Sequence, residues 1–419
     1  MKTKAVRLYG KNDLRLEEFE LPDIKDDEIL VRVRADSLCM SSYKAASLGA
    51  DHKRVPDDVA EHPVIIGHEM SGEIVQIGAR WKDRYREGDK FSLQPALNYM
   101  GSMDSPGYSY QYCGGDATYN ILPPEVMEMD CLLPYTGENF FSAALSEPYS
   151  CVIGACRSLY RTSRTDHNHY MGIKQDGRMA VIGGCGPMGL AAVDYAISGE
   201  LRPKQLVVTD IDDARLERAR RLFQAKAEAH RISLLFINTA ALKNPAAEIM
   251  ALTGGEGFSD VLVMVARREV LEFSEALLGF NGCLNFFAGP QDQDFRAEVN
   301  YYDIHYMEKH IIGTTGGTVG DMREALGLME KGAVRPEVLV SHIGGLDAAA
   351  EATLALPELP GGKKLIYTGI SLPLTALDEL EEKGKSSPLL AGLAEIVAAH
   401  DGLWSTEAEK FLLERAEPV

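Results

Sequence analysis

Arg178-Met179-Ala180-Val181-Ile182-Gly183-Gly184-Cys185-Gly186-Pro187-Met188-Gly189 is the stretch whose reading settles the fold. Its first half is a short apolar run ended by glycine, as a buried strand is. Its second half carries Gly184-x-Gly186-x-x-Gly189, and the apolar window Leu190 to Ile197 behind it predicts a helix. Glycines at this spacing, between a strand and a helix, allow a tight turn and a close approach of backbone to a pyrophosphate. The helix start adds free N–H groups and a partial positive charge. Gly184, Gly186, Pro187, Met188 and Gly189 are therefore candidate dinucleotide contacts.

Working outward, Gln205 to Thr209 is a second apolar strand that ends on Asp210, about 20 residues on, where an acid can hold the adenosine ribose hydroxyls. That carboxylate repels a 2′-phosphate, and Ile211 follows it rather than arginine. NAD is the expected cofactor, with NADP the alternative. Further strands at 234 to 237, 260 to 265 and 283 to 287 alternate with helical windows, which predicts a doubly wound parallel sheet.

Before residue 150 the pattern differs. Short β-rich runs (Lys4 to Tyr9, Glu28 to Arg34, Val64 to Ile66, Glu73 to Ile77, Asp89 to Ser92 with Leu93) are separated by turn residues, as in a small barrel. Residues 94 to 120 read as a long irregular lobe. Within the β-rich part, Gly67-His68-Glu69 sits at a strand end, with Cys39 upstream and Glu147 downstream. A thiolate, an imidazole and a carboxylate suit a catalytic Zn²⁺ with an open position. The same residues also read as a buried thiol, a turn pair and a helix-start acid. The dinucleotide pattern favours the metal, because Zn²⁺ polarises a carbonyl during hydride transfer.

Composition narrows the class. The chain has 419 residues, 45% hydrophobic and 25% charged, with a formal net charge of -19. It has no Lys/Arg-rich run, which speaks against a nucleic-acid partner. No stretch approaches the roughly 18 apolar residues of a membrane span. The N-terminus lacks the apolar run of a signal peptide. Seven scattered cysteines without a CxxC spacing suit reduced thiols and a cytoplasmic location.

With Gly67-His68-Glu69-x-x-Gly72 and Gly78 added to the glycine turn, residues 1 to about 370 resemble the zinc-dependent medium-chain alcohol and polyol dehydrogenases. The resemblance implies a GroES-like catalytic domain over 1–150, completed by 310–372, a Rossmann domain over 151–309, and a C-terminal helical extension over 373–419. It implies Cys39 and His68 as zinc ligands, with Glu69 and Glu147 completing or flanking the shell. Ser41 matches the family's proton-relay hydroxyl. Trp81 stands where the family prefers a small or aliphatic residue. The lobe holds only Cys113 where many relatives carry four cysteines, so one catalytic zinc and no structural zinc is expected. Lys44 replaces the family's relay histidine, and a cation there suits an anionic substrate. Lys53 and Arg54 read as solvated charge.

Stretches such as 4–10, 36–39, 283–292 and 361–365, and the tail around Trp404, resemble the branch acting on phosphorylated sugars. That resemblance implies reduction of L-sorbose 1-phosphate to D-glucitol 6-phosphate, with another polyol phosphate such as galactitol 1-phosphate as the alternative. A dinucleotide-binding sensor without turnover is the alternative of another class. Relatives are dimers or tetramers, so a homo-oligomer is expected. In the tail, Ser387-Pro388 predicts a helix start and Gly402 its end. Thr406 with Glu409 predicts a capping box for the last helix. His167 and His169 lie in an insert, 161–170, that reads as a solvated loop.

Overall fold

The alternation after residue 178 builds a six-stranded parallel sheet in the order Ser233–Asn238, Gln205–Asp210, Arg178–Ile182, Phe258–Val263, Leu278–Phe286, His310–Gly313. This is the doubly wound order 3-2-1-4-5-6. The computed structural model describes every residue except Gln291, so that position of the stretch 283–292 lies outside the described residues. Helices cover both faces of such a sheet, so its strands are apolar throughout rather than alternating. Ala180, Val207, Val261 and Leu284 are all fully buried. Ala180 pairs with Val207 on one side and with Val261 on the other.

The chain divides into two compact units, 1–147 with 318–332 and 336–419, and 148–317 with 333–335. The sequence reading returns the chain to the first domain at 310. The strand His310–Gly313 instead pairs in parallel with Leu278–Phe286, so the return comes after Gly317. The insert at 161–170 is a hairpin of Tyr160–Thr162 and His169–Met171. His169 packs on Tyr160 with ring centroids 4.7 Å apart, and His167 is exposed. Neither joins a metal-ligating group among the described residues.

The first unit holds a larger antiparallel-rich sheet. Ile29–Ser37 is its hub, pairing with Ser71–Ile77, Lys363–Tyr367 and Tyr119–Leu122. Val31, Val33, Met70, Ile74 and Phe91 fill one side of it. Of the lobe read as 94–120, residues 94–118 have no strand and one short 3-10 turn, Tyr99–Gly101, as their Gly, Ser and Tyr content predicts, whereas 119 and 120 already belong to the strand Tyr119–Leu122.

The tail is part of this unit's core rather than a separate body. Helices Pro388–Ala399 and Thr406–Arg415, with Trp404 in the connection between them, bury Leu390, Leu393, Val397, Trp404 and Leu412 against Phe140, Phe141 and Tyr367. Ser387 caps the first through Leu390 N–H, and Gly402 follows at φ 76°. The second helix departs from expectation. Ser405, not Thr406, is its cap, accepting from Ala408 N–H at 3.1 Å. Glu409 is thereby released from a capping box. It accepts from the N–H groups of Phe140 and Phe141 at 2.6 and 2.9 Å, and from Tyr367 OH at 3.0 Å.

Candidate metal and cofactor sites

Strand Val64–Ile65 leads to Gly67, whose φ is 89°. A Cβ at Gly67 would stand 2.7 Å from both Asp116 N and Asp36 Oδ2, so only glycine can make this turn. The turn delivers His68 and Glu69 into the interior, 4% and 1% exposed. Cys39 arrives from the hub strand and forms the N-cap position of helix Met40–Leu48, with no side-chain cap bond of its own. Partial positive charge at a helix start favours a thiolate. Ligand atoms of Cys39, His68 and Glu69 all lie within 4.8 Å of one another.

The surroundings suit a metal ion. Ser41 Oγ is 3.1 Å from Cys39 Sγ and 3.3 Å from His68 Nε2. Ser42 Oγ and Tyr108 OH each lie 3.1 Å from His68 Nδ1. With its proton on Nδ1, His68 donates to one of these oxygens and keeps the Nε2 lone pair free for a metal. Burial pushes the His68 pKa down, which holds the ring in the neutral form that a metal needs. Burial pushes the Cys39 thiol up, and Lys363 opposes it.

Glu69 pairs with Lys363 through Oε1, and both side chains are buried. Its Oε2 is buried without a partner. An orphaned buried carboxylate oxygen is costly unless a cation joins it. Glu147, at the start of helix Ser146–Ser158, lies within electrostatic reach but outside the close triad. Burial, then Glu69, raises its pKa to about 7, with His68 pulling the other way. A cation arriving beside Glu147 would favour its charged form. Donor set, burial and orphaned oxygen therefore fit a zinc ion.

The parallel-sheet unit carries the second site. Helix Pro187–Ser198 starts with Gly186 as its cap and no side-chain cap bond, so its first N–H groups are open to an anion. A Cβ on Gly189 would stand 2.5 Å from the Gly184 backbone, so this spacing is steric necessity. Pro187 and Met188 are half-exposed at the helix start. Asp210 ends its strand, with Oδ2 accepting from Cys185 N–H at 3.3 Å and Oδ1 from Ile211 N–H at 2.8 Å. The acid thus sits beside the glycine turn, as a ribose-binding carboxylate must.

Comparison with known proteins decides the family. The alcohol dehydrogenase GroES-like domain matches residues 25–128, and the zinc-binding dehydrogenase family matches 187–331. L-sorbose 1-phosphate reductase of Klebsiella pneumoniae is 47% identical over 417 residues, 100% of this chain and 98% of that protein. The chain belongs to the zinc-dependent medium-chain alcohol and polyol dehydrogenases. Mannitol-1-phosphate 5-dehydrogenase of Aliivibrio fischeri is 45% identical over 413 residues, 98% of this dehydrogenase and 97% of that one. The crystal structure of 2R,3R-butanediol dehydrogenase from Bacillus subtilis superposes with a TM-score of 0.71 at 22% identity, covering 87% of this chain and 99% of that one, and shares its fold. The dehydrogenase is an oxidoreductase.

Sequence reasoning missed three groups in it. Lys363 balances Glu69 across 294 residues of chain. Tyr108 reaches His68 from the lobe, where only aromatic content marked it. Asp36 and Asp116 are fully buried beside the Gly67 turn, and all four carboxyl oxygens lack a partner. Burial and then Asp116 push Asp36 well above the usual carboxyl range, and burial raises Asp116 to about 7.

Proposed function

We propose that the dehydrogenase reduces a phosphorylated ketose to a polyol phosphate with a nicotinamide cofactor, converting L-sorbose 1-phosphate to D-glucitol 6-phosphate. The observation that carries the chemistry is the Cys39, His68 and Glu69 cluster with its orphaned, buried Glu69 oxygen. Full-length similarity to two enzymes named for sugar phosphates supports the substrate class.

Cys39, His68 and Glu69 would hold one zinc ion, with Glu147 beside them, and that ion supplies Lewis-acid polarisation of the ketone when bound. Gly184, Gly186, Pro187, Met188, Gly189 and Asp210 would hold the nicotinamide cofactor, which as NADH would supply the hydride and leave as NAD+. Ser41 sits where a hydroxyl can give a proton to the oxygen of the new alcohol. Ser42 and Tyr108 hold the His68 ring in place. Lys363 pairs with Glu69 and holds that carboxylate in position. Lys44 and the loop 51–54 form a basic rim for the phosphate. A single ion is proposed because the lobe offers only Cys113 in place of a cysteine cluster.

A second reading within the class is a different polyol phosphate. The similarity to mannitol-1-phosphate 5-dehydrogenase favours it, and galactitol 1-phosphate is a further candidate. A non-catalytic dinucleotide sensor has no need of the metal-ligand cluster. The test is NADH oxidation across phosphorylated and free ketoses. L-sorbose 1-phosphate should exceed L-sorbose in kcat/KM by at least about 100-fold, since a site built for a charged group rejects the analogue lacking it. Equal turnover of the free sugar would refute the reading.

A further inference from the structure

We propose that Arg54 is the anchor for the substrate phosphate, held ready on the ring of Tyr108. The inference rests on the reading of the site as one for a phosphorylated ketose. It starts from an anomaly of charge. In a chain of net charge -19, most basic side chains can find acids. Lys44, Lys53 and Arg54 instead gather around His52, and none of the three makes an ion pair among the described residues. Asp51, in the same loop, is taken by Lys11 at 2.5 Å.

Arg54 differs from the two lysines in being fixed. Its backbone N–H donates to His52 Nδ1 at 3.4 Å, and its carbonyl accepts from Ser109 Oγ at 2.7 Å. Its guanidinium carbon lies 5.6 Å from the centre of the Tyr108 ring. The His68 ring centre is 5.0 Å from that same centre, and Tyr108 OH touches His68 Nδ1. One aromatic ring therefore separates a half-buried, unpaired guanidinium from a proposed metal ligand. His52 stacks on the same tyrosine at 5.7 Å and an interplanar angle of 13°, which fixes the platform further.

Cation–π contact orients a guanidinium without satisfying its N–H donors. The planar fork of donors matches phosphate bidentately, which an ammonium does not. A charge that is partly removed from water with no counter-ion is stabilised by an arriving anion. Lys44 is half-buried and Lys53 exposed, so they add field rather than geometry. Each is free to follow the substrate.

The test compares the full-length, zinc-loaded wild type with Arg54→Ala and Arg54→Lys, on L-sorbose 1-phosphate and on L-sorbose. Inorganic phosphate binding is measured separately by calorimetry. The account expects Arg54→Ala to lower the preference for the phosphorylated sugar by about 10- to 100-fold, with the change in KM. Phosphate binding should weaken by a similar factor, and Arg54→Lys should recover part of both. Equal KM changes for the two sugars, or unchanged phosphate binding, would overturn the anchor. If the wild type shows no preference for phosphorylated sugar, the proposed function fails. Calorimetry then still decides whether Arg54 makes an anion site.

Discussion

Glu69 gives one carboxylate oxygen to buried Lys363 and leaves the other without a partner. At this scale the ligand candidates were legible, because Cys39, His68, Glu69 and Glu147 each stand beside a turn or helix start. Their partners were not. Nothing local marks Lys363, whose role depends on a strand that returns 294 residues later. Asp36 and Asp116 were equally silent, since a lone aspartate at a strand end or in a loop reads as solvated until burial is known. They lead to a prediction. Burial holds Asp116 near a pKa of about 7, above its unfolded value, so the folded state binds that proton more tightly. The resulting stability is complete below the unfolded pKa and is lost as pH rises through 7. Asp116→Asn removes this carboxyl and leaves Asp36 beside a neutral amide. Wild type should therefore lose stability relative to this variant as pH rises from 4 to 8, by an amount on the order of a few kcal/mol. Denaturant melts across that range measure it, and parallel pH profiles would contradict it.

Among the elements, periodicity located most strands and the long helices, and Gln205–Asp210 has the bounds read from sequence. The helix Met40–Leu48 was missed because Ser41-Ser42-Tyr43 has weak helix propensity. It forms because Ala45 and Ala46 pack into the core. Glu409 shows how a local rule is overridden. Its spacing from Thr406 suits a capping box, yet the carboxylate serves another helix, Phe140–Ala144, whose first N–H groups need an acceptor. Through this contact the tail is tied to the segment that leads to Glu147. Glu409→Ala strands two buried N–H groups and Tyr367 OH, and should cost about 2–4 kcal/mol in urea unfolding. A loss no larger than that of an exposed-site substitution would show that the tail is not held this way.

Taken whole, the molecule joins two kinds of sequence pattern. Alternating strand and helix made the parallel-sheet unit legible, and the switch to short, turn-separated strands marked the other. The point of return was misread because His310–Gly313 is a short edge strand, half-exposed, with too little apolar pattern to announce its partner. The lobe was legible as irregular, but not which of its side chains turn inward, because irregular backbone has no period to read. Tyr108, the platform of the proposed phosphate anchor, lies inside it. Both units carry one half of the chemistry in the account, the metal cluster in the first and the glycine turn with Asp210 in the second. The central claim is that zinc at Cys39, His68 and Glu69 is required for reduction of a phosphorylated ketose. It is tested most directly by NADH oxidation with L-sorbose 1-phosphate before chelation, after chelation, and after zinc is restored. The account predicts turnover, its loss, and its recovery, with about one zinc per chain. Turnover that survives complete removal of the metal would contradict it.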